Sequence, residues 1–188
     1  MIQKFSFEET EIKGLYVINP FIAWDERGSF VKDYSLETFS QNGIDYDLKE
    51  VFYTYSKKGV VRAMHFQRVK QQPKLVRCVK GKVYDVIIDL RKDSPTYKKW
   101  LGFDLSDQTN TELLIPAGCG HGYIVLEDSI VSYKCAEKFY GEYDDGIRWN
   151  DSDMGINWPT HLVDEIILSD KDKNLQTFKE FEENYDKF

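Results

Sequence analysis

Apolar residues recur through the first 135 residues in short, β-branched runs rather than at helical spacing. Turn-forming residues interrupt them at Asp25-Glu26-Arg27-Gly28, Lys57-Lys58-Gly59, Lys80-Gly81-Lys82 and Asp107-Gln108-Thr109-Asn110. This spacing predicts a β-sandwich or barrel. From Val83 to Leu90 the period is two: Tyr84, Val86, Ile88 and Leu90 share one face, Val83, Asp85, Ile87 and Asp89 the other. The second face, apolar but carrying carboxylates, reads as the lining of a polar cavity. Ile115-Pro116 through Gly122-Tyr123 reads as a glycine-rich turn that delivers His121 to a strand in which His121, Tyr123 and Val125 face one way. Ser129 to Glu137 reads as a further strand with Val131, Tyr133 and Cys135 on one face, where Tyr133 is either an aromatic core residue or a functional phenol. Helical signal gathers near the end. Ser169-Asp170-Lys171-Asp172 has the form of a capping box, and Leu175, Phe178, Phe181 and Tyr185 form one stripe, predicting a helix over about 170–187 docked on the sheet.

The run Gly59-Val60-Val61-Arg62-Ala63-Met64-His65-Phe66-Gln67 places one of three histidines inside an apolar, strand-like segment, with Arg62, Arg68, Lys74 and Arg77 nearby in sequence. Imidazole titrates nearest neutral pH, so a partly buried His65 suits a general base, while fixed cations can hold a phosphate or a developing oxyanion. The alternative is a core histidine bonded to the backbone, with the cations on a solvated face. Arg62 and His65 lie three apart, so an unbroken strand sends them to opposite faces. A bulge or strand end must intervene if both serve one site.

Composition narrows the partners. With 41% hydrophobic and 15% aromatic residues over 188 positions, the chain reads as one folded domain, without internal repeat or linker. A net charge of -7 argues against broad attraction to nucleic acid or an anionic membrane, so any anion must be caught locally. Cys78, Cys119 and Cys135 are widely spaced and form no CxxC pair, which reads as reduced packing residues. The N-terminus lacks the pattern of a signal peptide and no apolar run has spanning length, so the expected setting is cytoplasmic.

Several chemistries lack their signatures. No phosphate-gripping glycine loop and no GxSxG elbow occurs. His65, His121 and His161 stand far apart with no HxH or HxxxH pairing, so no metal site is expected. Two remote histidines that met in space would more plausibly serve as acid and base.

The ordered motifs Asp25-Glu26-Arg27-Gly28-Ser29-Phe30, Lys58 to Gln67, Lys74-Leu75-Val76-Arg77, Val83 to Arg91 with Ser94-Pro95-Thr96, Ile115 to Gly122, Tyr133-Lys134, Gly146 to Asp151 and Gly155-Ile156-Asn157-Trp158-Pro159 resemble the dTDP-4-dehydrorhamnose 3,5-epimerases. The resemblance spans roughly residues 20 to 172. It implies a mainly β fold, a cupin-type jelly roll (double-stranded β-helix) with the C-terminal helix. It also implies a site needing neither metal nor cofactor, and a homodimer whose N-terminal strands pair across the interface. The implied reaction is epimerisation at C3 and C5 of a nucleotide-linked 4-keto-6-deoxyhexose, with dTDP-4-dehydro-6-deoxy-D-glucose as first substrate.

Carried over by resemblance, His65 is the base, Tyr133 the acid on the opposite face, Asp172 the carboxylate that orients the histidine, and Lys74 the cation near the enolate oxygen. For Asp172, helix capping is the other reading, and both can hold. Arg62 stands beside the diphosphate or sugar, Arg27 and Phe30 match nucleotide-contacting positions, and His121 with Asp85 lines the pocket in support. Three departures touch the ligand. The family commonly has glycine at the position of Ala63; an amide-rich segment is replaced by Glu50-Val51-Phe52-Tyr53-Thr54; and Phe139 stands where a second tyrosine is common. Glu50 and Phe139 are therefore carried as substrate-facing positions, and the rivals are a C3-only epimerase, an enzyme for a GDP- or CDP-linked sugar, a non-catalytic cupin that binds sugar nucleotides and, weakest because the histidines are scattered, a metal-dependent cupin oxygenase.

Overall fold

The computed structural model describes residues 4–185 and 188. Strands β1 (Ser6–Glu9), β2 (Tyr16–Asn19), β3 (Phe21–Asp25) and β4 (Gly28–Lys32) lead to helix α1 (Leu36–Gln41). Then follow β5 (Glu50–Ser56), β6 (Val61–Gln67), β7 (Lys74–Asp89), β8 (Trp100–Ser106), β9 (Glu112–Ile115), β10 (Cys119–Cys135) and β11 (Asp144–Gly146). Two short helices, α2 (Asp170–Lys173) and α3 (Phe178–Glu183), close the chain. The sequence pattern gave no sign of α1, a six-residue helix whose N-terminus is capped by the Ser35 side chain accepting from the Thr38 amide.

The two longest strands organise the sheet. β7 and β10 run antiparallel along most of their length, and each divides between two other neighbours. β7 pairs β9 through residues 74–77 and β8 through 82–88, while β10 pairs β6 through 121–124 and β5 through 129–135. With β1 and β2 beyond β9 and β11 beyond β6, nine strands form one curled sheet, the expected cupin-type jelly roll. Lys80-Gly81-Lys82, read from sequence as a turn between strands, is the bend inside β7. Gly81 has φ +78°, and a Cβ there would lie 2.3 Å from the Asp128 carbonyl oxygen, so a side chain would block the fold of the ribbon. Likewise the segments on either side of Glu127-Asp128 are not separate strands but two halves of β10.

Alternation then sorts the side chains. Val76, Val83, Ile87, Tyr123, Val125 and Val131 fill the inside of the roll, whereas Tyr84, Val86, Ile88 and Leu90 face outward against the C-terminal segment. A third cluster, with Ile18, Phe39, Leu75 and Leu114, packs α1 onto the sheet.

The single helix expected over about 170–187 is two helices within the described residues; 186 and 187 lie outside them. Asn174 ends α2, and the chain then runs extended so that Gln176 bridges Ile147 and its carbonyl accepts from the Arg148 amide at 2.9 Å. The helix restarts on a capping box formed by Thr177 and Glu180. A backbone partner outside the helix therefore wins over the apolar stripe, yet Leu175, Phe178 and Phe181 remain buried.

At Gly122 β6 and β10 approach each other closely. A Cβ there would meet the Ala63 Cβ at 2.3 Å and the Arg62 carbonyl at 2.7 Å, so the methyl group of Ala63 fits because its neighbour has none. Gly122→Ala is expected to cost roughly 3 kcal/mol through overpacking. Thermal melting should record this as a Tm lower by roughly 6–12 °C. An unchanged Tm would mean the strands part easily.

Candidate active site

One end of the roll opens into a cavity of about 310 Å³, walled by β5, β6, the start of β7, β10, β11 and α2. It brings together Arg62, His65, Lys74, His121, Tyr133, Phe139 and Asp172. Arg62 and His65 share it because β6 carries one extra residue. His65 pairs with His121 and Arg62 with Tyr123, so three steps on β6 span two on β10. The required bulge is present, and it turns both side chains to one side.

His65 Nε2 lies 2.7 Å from Asp172 Oδ1, and the imidazole keeps a quarter of its surface exposed while the carboxylate is almost covered. Asp172 is fixed from its own helix. Its amide donates to Ser169 Oγ at 3.0 Å, and the Ser169 hydroxyl donates to Oδ2 at 3.0 Å. Capping and orientation of the histidine thus coexist. Burial pushes the Asp172 carboxyl up, but the His65 contact, the Ser169 hydroxyl and the nearby Lys171 charge together hold it below the usual carboxylate value. Lys171 also pairs with Asp144, which ties α2 to β11.

Tyr133 approaches from β10. Its ring stacks on Phe52 at 4.8 Å between centroids and 16° between planes. Burial drives the Tyr133 hydroxyl well above the ordinary tyrosine value; Tyr123 and the Asp85 charge add to this and Arg62 opposes it. The group therefore stays a neutral donor at physiological pH.

Two cations face the cavity without a carboxylate partner among the described residues. Arg62 is held only by Nε donating to Ser56 Oγ at 3.1 Å. Burial pushes the Lys74 ammonium down, against the charges of Cys135, Asp144 and Asp85 and together with that of Lys171. Such unpaired cations in a polar cavity favour an anionic ligand or a developing oxyanion.

Other expected residues take different places. Asp85 does not reach the wall: it is fully buried behind His121, whose Nε2 lies 3.0 and 2.9 Å from its two oxygens. Asp89, on the same strand face, is consumed by Arg91, Ser94 and Thr96. Glu50 turns from the cavity and accepts from the Phe139 amide at 2.9 Å, holding the segment that carries the half-exposed Phe139 ring. Arg27 and Phe30 sit on the β3–β4 hairpin, a separate two-stranded sheet, where Arg27 pairs with Asp25 and Phe30 is 58% exposed. That hairpin does not border the cavity of its own chain.

Six lining residues were not singled out from sequence: Phe52, Thr54, Gln72, Asp144, Ser169 and Lys171. The period of two in β5 puts Phe52, Thr54 and Ser56 on one face, a signal that was available. Asp144 carries no comparable signal. Among the described residues no group of three or more His, Cys, Asp or Glu side chains is placed to hold a metal ion.

The arrangement is one of an imidazole–carboxylate pair, a buried phenol and two free cations around a single cavity. Residues 9–180 match the profile of the family described as dTDP-4-dehydrorhamnose 3,5-epimerase. A protein of that name from Methanothermobacter thermautotrophicus is 43% identical over 178 residues, covering 94% of this chain and 96% of its own. A Legionella pneumophila dTDP-6-deoxy-D-glucose-3,5-epimerase, crystallised with dTDP-4-keto-L-rhamnose, superposes with a TM-score of 0.89 at 32% identity over 94% of both chains. The dTDP-4-dehydrorhamnose 3,5-epimerase of Bacillus anthracis, with TDP and PPi bound, gives 0.88 at 37% identity, covering 93% of this chain and all of that one. Among the described residues no helix is long and apolar enough to cross a membrane. Motifs, fold and relatives agree that this chain belongs to the dTDP-4-dehydrorhamnose 3,5-epimerase family, a family of isomerases.

Proposed function

We propose that the protein inverts C3 and C5 of a nucleotide-linked 4-keto-6-deoxyhexose, with dTDP-4-dehydro-6-deoxy-D-glucose converted to dTDP-4-dehydro-L-rhamnose as its first reaction. The carrying observation is that His65 and Tyr133 line one cavity together with Arg62 and Lys74. The C4 ketone acidifies the hydrogens on both flanking carbons. His65, oriented by Asp172, takes one of these as a proton, and the electron pair moves onto the ketone oxygen as an enolate. Lys74 stabilises that oxygen. Tyr133 gives a proton to the carbon from the opposite face; the imidazolium then loses its proton to solvent and the phenolate regains one from solvent, and the same exchange at the second carbon completes the reaction. Proton transfer alone balances both steps, so no cofactor is required.

Arg62 is assigned to the diphosphate or sugar, which its lack of a carboxylate partner supports. The thymidine diphosphate portion is the first choice because two relatives carry dTDP-sugar or TDP in their crystals. Arg27 and Phe30 stand clear of the cavity in their own chain, which supports a homodimer in which the hairpin of one copy serves the nucleotide at the other.

Incubation in deuterated water tests this reading. The expected product carries two deuterium atoms, one at C3 and one at C5, by mass spectrometry and NMR. One deuterium only identifies a C3 epimerase, and labelling with a GDP or CDP sugar alone reassigns the nucleotide. Tight binding of sugar nucleotides without any labelling leaves the non-catalytic cupin.

A further inference from the structure

Between the end of β10 and the start of β11, residues 136–143 form neither helix nor strand, yet they carry the Phe139 ring into the cavity wall. Peptide groups in such a connection need partners from elsewhere, and here side chains supply them. The Glu137 carbonyl accepts from Gln72 Nε2 at 2.8 Å and the Lys138 carbonyl from Gln67 Nε2 at 3.2 Å. The Phe139 amide donates to Glu50 Oε2 at 2.9 Å and the Tyr140 amide to Gln67 Oε1 at 2.7 Å. Gln67 thus holds the residue on either side of Phe139, and its Nε2 also donates to the Lys70 carbonyl at 2.7 Å. It stands two residues beyond His65 on the same face of β6 and is only 4% exposed. A buried amide is disfavoured unless it is bonded, and these three bonds engage both of its donors and its oxygen.

We infer that Gln67 is a positioning residue for substrate binding, one that clamps residues 138–140 and so fixes the Phe139 ring at the cavity wall. This rests on the cavity being the substrate site proposed above. Gln67 does not line that cavity and acts through Phe139. With the clamp in place the ring is held before the substrate arrives, so its contact is made at little cost in ordering. Without the clamp, binding must first gather the segment. Gln67→Met keeps the length of the side chain and removes all three bonds. The freed groups of exposed Lys138 and half-buried Tyr140 then turn to water and take the ring with them. Proton transfer on a substrate already bound does not involve the clamp, so its signature belongs to binding.

Gln67→Met is expected to raise KM for the sugar nucleotide roughly five- to tenfold with kcat within about twofold, the pattern of binding lost equally from ground and transition states. Glu50→Ala removes the acceptor of the Phe139 amide from a half-buried position and leaves β6 intact; it should raise KM about two- to fivefold. Phe139→Ala should raise KM at least as far as Gln67→Met does. Adding Gln67→Met to it should then change KM by less than about twofold, because no ring is left to position. Trypsin gives a readout free of catalysis: Gln67→Met should be cut after Lys138 about tenfold faster than wild type. The inference is overturned by an unchanged KM, by a kcat that falls while KM holds, by a double variant whose effects multiply, or by equal cleavage after Lys138. Should Gln67→Met fail to fold, Glu50→Ala decides by the same KM and trypsin measurements. Wild-type protein that labels no 4-keto sugar nucleotide overturns the proposed function and with it this role in binding. Normal wild-type labelling with an unaffected KM in Gln67→Met overturns the clamp alone.

Discussion

His65→Ala should lose roughly 10³–10⁴-fold in kcat, the upper range of what a positioned general base contributes. Deuterium should then fail to enter either carbon, because labelling begins with the proton that the imidazole removes. Binding should change little, since Arg62 and Lys74 remain to hold the anion. The size of the effect follows from geometry. Nε2 is engaged by Asp172 at 2.7 Å, so the ring is fixed and the imidazolium formed in the reaction has its counter-charge already in place. Asp172→Asn should cause a smaller loss, because the imidazole stays while its orientation and counter-charge go. Single-turnover rates and labelling in deuterated water check both variants. A His65→Ala protein within tenfold of wild type would move the base elsewhere in the cavity.

Tyr133→Phe should lower the rate of inversion by roughly 10²–10³-fold and leave exchange intact. His65 still removes the proton, but no donor stands on the opposite face. The imidazolium exchanges its proton with deuterated water and returns deuterium to the carbon with retained configuration. Recovered substrate becomes labelled without becoming product. This separation of exchange from inversion marks an acid rather than a structural ring. The substitution leaves the Phe52 stacking partner in place, so little stability should be lost. A normal inversion rate in Tyr133→Phe would remove the phenol from the mechanism.

Much of the site was legible because its motifs are local. The run around His65, the glycine-rich approach to His121 and the alternation through Val83 to Leu90 all concern neighbours in sequence, and strand period alone assigns their faces. Asp85 shows where that logic stops. Its face was read as the lining of a polar cavity, but whether an inward carboxylate lines a cavity or stands behind a histidine depends on the depth of the neighbouring strand. The C-terminal segment shows another limit. Leu175, Phe178 and Phe181 have helical spacing, yet Gln176 is drawn into a bridge with Ile147 from a distant part of the chain, and the helix breaks there.

The β architecture, a cluster of cations in an acidic chain, and the imidazole and phenol assigned to the proposed chemistry were legible in the chain alone. These follow from residue type and short-range period, which burial imposes one strand at a time. Only the tertiary structure decided that the bulge in β6 turns Arg62 and His65 to the same side, and that α2 brings Asp172 to His65. It alone left Arg27 and Phe30 away from the cavity. Each of these depends on register and curvature between segments far apart in the chain. No local pattern encodes that relation.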